Sequence, residues 1–148
     1  MNLKLKAQQF AIKAHKDQKY GTLPYTYHLQ QVASRIELWR DRGALSCFSA
    51  ITDEHIAVAW LHDVLEDTDT PYSDLVIEFG KVVADAVFIL TKSGSDYAFY
   101  IQCIKDLEMA RIIKLADTLC NLEASLYSGE LKRINKYTKQ LNLLTEGF

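Results

Sequence analysis

The sequence predicts an all-α fold, a compact multi-helix bundle forming one domain over residues 1–148. Three observations predict it. Glycine and proline are scarce, at 6 and 2 residues, and fall in only a few places. Between them, apolar residues recur at three- and four-residue steps, the spacing of one helix face. Hydrophobic residues make up 49% of the chain, enough for a real core at a length usual for one domain.

Leu3, Leu5, Ala7, Phe10, Ala11 and Ala14 mark a first helix with an apolar stripe. Asp17 to Thr26 is polar, carries Gly21 and Pro24, and reads as a loop. A second helix is expected from about Tyr27 to Arg40, with Val32, Ala33, Ile36 and Trp39 inward, followed by a loop over Asp41–Ser49. Thr52 or Asp53 is a suitable N-cap for a third helix running through Leu65. Its IAVAWL segment is apolar nearly all round, so this helix should be central. Thr70-Pro71 opens a short helix that Gly80 closes. Lys81–Thr91 forms another apolar helix, and Ser93-Gly94-Ser95 a turn. Tyr97–Lys105 and Met109–Tyr127 read as helices. Gly129 then breaks the chain before a last amphipathic helix with Leu131, Ile134, Leu141 and Leu144.

Composition also excludes functions. The net charge is −2 and the isoelectric point about 6.1, which argues against binding a nucleic acid polymer. The longest wholly apolar run, Ile56–Leu61, is far short of the ~20 residues that span a bilayer. The start, MNLKLKAQQF, has no continuous apolar stretch, so neither a secretory leader nor a membrane partner is expected. Cys47, Cys103 and Cys120 are odd in number and widely spaced. They read as reduced thiols of a cytoplasmic protein, each a small buried apolar residue.

The informative residues are acids and imidazoles that interrupt apolar helices. In AVAWLHDVLEDTDT, His62 and Asp63 follow directly on the most apolar stretch. On a continuous helix His62 and Glu66 lie four apart, as do Asp63 and Asp67. One imidazole and three carboxylates would converge near a helix end, and like charges that close repel unless solvent or a cation intervenes. In IIKLADTLCNL, Asp117 and Asn121 are four apart on an otherwise apolar helix, with Lys114 three before Asp117. His28 follows the Gly/Pro loop. Each feature alone has a bland reading: a chance His-Asp pair, a solvated helix end, an Asp117–Lys114 ion pair. Together, on three helices, they favour a metal site. Imidazole and carboxylate ligands without thiolates suit Mn²⁺, Fe²⁺ or Zn²⁺. Glu66 and Asp67 would then be acid–base groups beside the ion. His15 and His55 lack such company and read as surface or partly buried residues.

These residues resemble the HD-domain metal-dependent phosphohydrolases, and more closely the hydrolase domain of the Rel/SpoT alarmone enzymes and the stand-alone small alarmone hydrolases. The resemblance rests on AIKAHKDQKYGTLPYTYHLQQVA, AVAWLHDVLEDTDT, FG, LTK and IIKLADTLCNL, over roughly residues 7 to 122. It implies an HD-domain bundle with Mn²⁺ held by His28, His62, Asp63 and Asp117. It implies that Glu66 and Asp67 activate or orient the attacking water and that Asn121 lines the site. The family reaction releases pyrophosphate from the ribose 3′ position of guanosine tetra- or pentaphosphate, so the partner implied is a small nucleotide. A chain of 148 residues has no room for the synthetase domain of the long enzymes, so a stand-alone hydrolase is expected.

The surroundings depart from the family. Lys19 stands where an Arg usually stacks on the base, and an ammonium lacks the guanidinium plane. Tyr20 beside it is a candidate for stacking, and Tyr25 for the pocket wall or a ribose contact. Lys92 and Lys114 are further candidates to offset substrate charge. Leu29 replaces a usual Pro, and Thr118, Cys120 and Glu123 replace a basic residue, a His and an Arg. Two alternatives follow: an HD phosphohydrolase for another phosphorylated nucleotide or cofactor, or a non-catalytic nucleotide-binding module. The intact Glu66 and Asp67 argue against the second.

Overall fold

The computed structural model describes residues 1–94 and 96–148, so Ser95 of the expected 93–95 turn lies outside the described residues. Helices α1 (Leu3–Ala14) and α2 (Tyr25–Asp41) flank a two-stranded hairpin, β1 (Lys19–Tyr20) and β2 (Leu23–Pro24). Then follow α3 (Asp53–Leu61), α4 (Val64–Asp67), α5 (Tyr72–Phe79), α6 (Lys81–Leu90), α7 (Tyr97–Asp106), α8 (Glu108–Ser128) and α9 (Leu131–Thr145). No described helix is long and apolar enough to cross a membrane.

The all-round apolar segment does what its pattern predicts. Every residue from His55 to Leu61 is buried, and α1, α2, α6 and α8 pack around α3. Each neighbour presents an apolar stripe to the same core: Ala7 and Ala11 from α1, Leu29, Val32 and Ile36 from α2, Val83 and Val87 from α6, Ile112 and Ile113 from α8. Full burial of one such large aliphatic side chain is worth about 1.5–3 kcal/mol.

Several expectations are corrected. The loop between the first two helices contains the short hairpin, with Lys19 opposite Pro24 and Tyr20 opposite Leu23. Gly21 turns it at φ 62°, a conformation that a side chain resists. Pro24, with ψ 144°, then hands the chain into α2 at Tyr25, two residues before the expected start. The third helix does not run through Leu65. It stops at Leu61, turns at His62 and Asp63, and resumes as α4. Asp63 sits in the bridge region at φ −104°, ψ 1°. The cysteines also differ among themselves. Cys120 is buried, but Cys47 is exposed in the connection before α3, and Cys103 is only half-buried on α7, whose fully buried residues are Ile101 and Ile104.

His15 and His55 are both buried, not surface or partly buried residues. His15 is covered because Gln18 and Tyr25, on either side of the hairpin, lie against it at the end of α1. Its ring lies 5.1 Å from that of Tyr25. His55 is covered because it completes the α3 cap: its Nδ1 accepts the Thr52 amide proton at 3.1 Å. That bond needs a neutral ring. Burial pushes the His55 pKa below its ordinary 6.5, against the pull of Glu108 and Glu54. The stability it contributes is therefore fully present above pH 6.5 and is lost as pH falls through the depressed folded value. Stability to urea is expected to fall as pH drops below 6.5, and His55→Gln is expected to remove that part of the fall.

Candidate metal centre

The break between α3 and α4 builds the site. On a continuous helix, adjacent side chains diverge by about 100°. The turn instead aims His62 and Asp63 at one place, with His62 Nε2 3.0 Å from Asp63 Oδ2. From α2, His28 Nε2 lies 2.9 Å from Asp117 Oδ1 on α8. His62 Nε2 is 3.5 Å from that same oxygen. One ligand atom each from His28, His62 and Asp117 lies within 4.8 Å of the others, and all three residues are buried.

The tautomer of His62 makes this group fit a cation. Its Nδ1 is 2.7 Å from the Ala59 carbonyl oxygen, to which it donates. The neutral ring then turns a bare Nε2 lone pair toward two carboxylates. That nitrogen is buried and makes no hydrogen bond of sound geometry. A lone pair facing two carboxylate oxygens is repulsive unless positive charge lies among them. A backbone carbonyl on the far nitrogen is also the usual support of a metal-ligating imidazole. Without a metal ion, the positive charge must be a proton. Burial resists it, but Asp63 and Asp117 win and hold the His62 pKa well above its usual value. Burial likewise opposes ionisation of Asp63, and the His62 charge overrides it, taking its carboxyl down to about 2.

Asp117 is the hub. Oδ1 accepts from Asn121 Nδ2 at 2.9 Å as well as facing both imidazoles, and Oδ2 accepts from Lys114 Nζ at 2.9 Å. Although buried, its carboxyl is held well below the usual range, by Lys114 first and then by the two histidines. Asp63 is held from the other side, where the Tyr25 hydroxyl donates to Oδ2 at 2.5 Å. Tyr20 covers the centre: its ring stacks on His28 at 4.7 Å and 14°, and its hydroxyl donates to Asn121 Oδ1 at 2.8 Å.

The two remaining acids stand at the rim, both exposed. Glu66 Oε1 accepts from the Lys92 backbone amide at 2.7 Å. Desolvation, helped by the charges of Asp63 and Asp67, holds its carboxyl above the usual value against that amide. Asp67 Oδ2 accepts from Gln18 Nε2 at 3.0 Å. Of the candidate substrate residues, Tyr20, Tyr25 and Asn121 thus touch the centre's own side chains, while Lys19 is exposed on β1. The Lys92 ammonium lies over the Tyr97 ring at 5.5 Å, and that of Lys114 is engaged by Asp117. Glu123, one of the residues that departs from the family pattern, pairs with Arg35 of α2 at 2.6 Å. Sequence reasoning missed Gln18 and His15 at the site. Arg133 on α9 was missed too; its guanidinium lowers the Tyr20 hydroxyl's pKa, which burial nonetheless keeps raised.

No family model matches the chain. It is similar to the guanosine-3′,5′-bis(diphosphate) 3′-pyrophosphohydrolase of Aquifex aeolicus (strain VF5), at 33% identity over 139 residues, covering 86% of this chain and 18% of that protein. It is 36% identical over 129 residues to the enzyme of that name, MESH1, from Danio rerio, covering 80% of this chain and 66% of the relative. The MESH1 enzyme of Drosophila melanogaster is 33% identical over 127 residues, with 77% and 64% covered. The chain therefore spans less than a fifth of the bacterial relative and slightly under two thirds of the animal ones. In fold it matches a metazoan ortholog of SpoT described as hydrolysing ppGpp, with a TM-score of 0.78 and 24% identity, over 99% of this chain and 87% of the other.

Proposed function

Since this chain belongs to the HD-domain hydrolases of the Rel/SpoT alarmone type, we propose that residues 1–148 act as one hydrolase domain on guanosine 3′,5′-bis(diphosphate) and its pentaphosphate analogue, releasing pyrophosphate from the ribose 3′ position. The observation that carries this reading is the buried His28–His62–Asp117 group with Asp63 against it and Glu66 and Asp67 one turn further along. In this reading His28, His62, Asp63 and Asp117 hold one divalent cation, Mn²⁺, though their ligand chemistry also accepts Fe²⁺ or Zn²⁺. Such an ion, when bound, supplies Lewis acidity that lowers the pKa of water and polarises a phosphoryl oxygen.

The chain's own groups supply the rest. Glu66, with its raised carboxyl pKa, takes the proton of the attacking water, and Asp67 orients that water. The water oxygen bonds to the phosphorus next to the ribose, the bond from that phosphorus to the 3′ oxygen breaks, and the 3′ oxygen takes a proton. Asn121 and Tyr25 keep Asp117 and Asp63 turned inward and line the pocket beside the nucleotide. Tyr20 forms the wall over His28, and Lys19 at the hairpin meets substrate charge. The three unpaired thiols favour the cytoplasm as the working compartment.

The test is a substrate panel with Mn²⁺. Release of pyrophosphate from guanosine tetraphosphate is expected. Orthophosphate from a 2′- or 3′-phosphorylated nucleotide, with none from the tetraphosphate, would replace the substrate. Nucleotide binding without turnover would leave a binding module.

A further inference from the structure

The segment from His15 to Tyr25 makes contacts that holding a cation does not require. His15 ends α1, with its backbone amide bonded to the Ala11 carbonyl at 2.9 Å, and only 2% of the residue is exposed. Its Nδ1 lies 2.7 Å from Gln18 Oε1. At the other end of the same amide, Gln18 Nε2 donates to Asp67 Oδ2 at 3.0 Å. The backbone fixes the strip: the Gln18 amide bonds to the His15 carbonyl at 3.0 Å, and the Tyr25 amide to the Gln18 carbonyl at 2.9 Å.

The order of these contacts has a direction. A glutamine amide has an acceptor end and a donor end. Turned over, it would set its oxygen against the Asp67 carboxylate, lone pair to lone pair. Donation from His15 Nδ1 claims Oε1 and leaves Nε2 for Asp67. The imidazole fixes the amide, and the amide fixes the carboxylate. Asp67 is exposed, and an exposed carboxylate otherwise samples several rotamers. Two residues of the same strip thus hold two acids one helical turn apart, Tyr25 on Asp63 and Gln18 on Asp67.

We propose that His15 and Gln18 are positioning residues that orient the Asp67 carboxylate for the attacking water. This rests on the reading of Asp67 given above. In this role both act through Asp67 and not on the nucleotide. Their effect should therefore fall on kcat, leaving KM and cation affinity in place.

The test uses the full chain with Mn²⁺ and guanosine tetraphosphate. Gln18→Leu removes the donor, and Gln18→Glu keeps the shape but sets an acceptor against Asp67. His15→Phe keeps a ring against Tyr25 but lacks the Nδ1 donor. Each is expected to lower kcat about 10- to 100-fold, the usual cost of losing an orienting partner, with unchanged KM and Mn²⁺ affinity. In an Asp67→Asn background, Gln18→Leu is expected to cause no further loss. If Gln18→Leu does not fold, Gln18→Glu carries the comparison. Gln18 variants as fast as the parent, beside an inactive Asp67→Asn, would overturn the positioning role alone. So would losses that multiply in the double variant. An Asp67→Asn variant with full turnover would overturn both the role of Asp67 and this proposal.

Discussion

Replacing Asp117 by Ala is expected to abolish divalent-cation binding and to reduce turnover to background. Its carboxylate meets His28, His62, Asn121 and Lys114 at once, so no neighbour can substitute for it. Stability should fall as well. Both oxygens are buried and engaged, and removing them strands the ammonium of Lys114, whose side chain is only 16% exposed. Breaking one partner from such a pair costs about 3–5 kcal/mol. His62 softens the loss, because without Asp117 it can release its proton. Asp117→Asn separates the two effects. It keeps the volume and one acceptor, so it should fold with a smaller penalty and still fail to bind the ion. Calorimetric titration with Mn²⁺ beside urea unfolding checks both. An Asp117→Asn protein that binds Mn²⁺ like the parent would contradict the assignment.

Glu66→Gln is expected to do the opposite: to keep the fold and the ion while lowering kcat by about 10²–10⁴-fold, the range for a lost general base. Glu66 is tied to the Lys92 amide and not to the buried imidazoles. Glutamine can still accept that amide, so the rim should stay in place. Asp63→Ala supplies the contrast, since it should lose the ion together with turnover. Single-turnover rates and Mn²⁺ titration on the two variants give the comparison. Equal Mn²⁺ affinity in both, or full turnover in Glu66→Gln, would show that roles were assigned to the wrong acids.

Much of this molecule was legible in the sequence because its signals are local. The IAVAWL run is apolar on every side, and only a central helix can bury such a segment; α3 does so. His28, His62 and Asp117 were legible as a group because each interrupts an apolar helix where a polar side chain needs a reason. The break at His62–Asp63 was not legible. No glycine or proline marks it, and the helical spacing continues through it. What stops the helix is the bridge-region backbone of Asp63, a property of the folded site. Gln18 and His15 were hidden for another reason. Gln18 lies in a polar stretch that reads as solvated, and His15 just before it is covered by Gln18 and Tyr25 from either side of a hairpin whose two-residue strands are too short to leave a pattern. Glu123 looked like an unexplained departure until its partner, Arg35, appeared 88 positions away.

The account stands on one ion shared by side chains from α2, the α3–α4 turn and α8. An anomalous difference map from crystals grown with Mn²⁺ tests it most directly. The expected result is a single strong peak within bonding distance of His28, His62, Asp63 and Asp117. A peak elsewhere on the chain, or none among these four residues at saturating Mn²⁺, would contradict it.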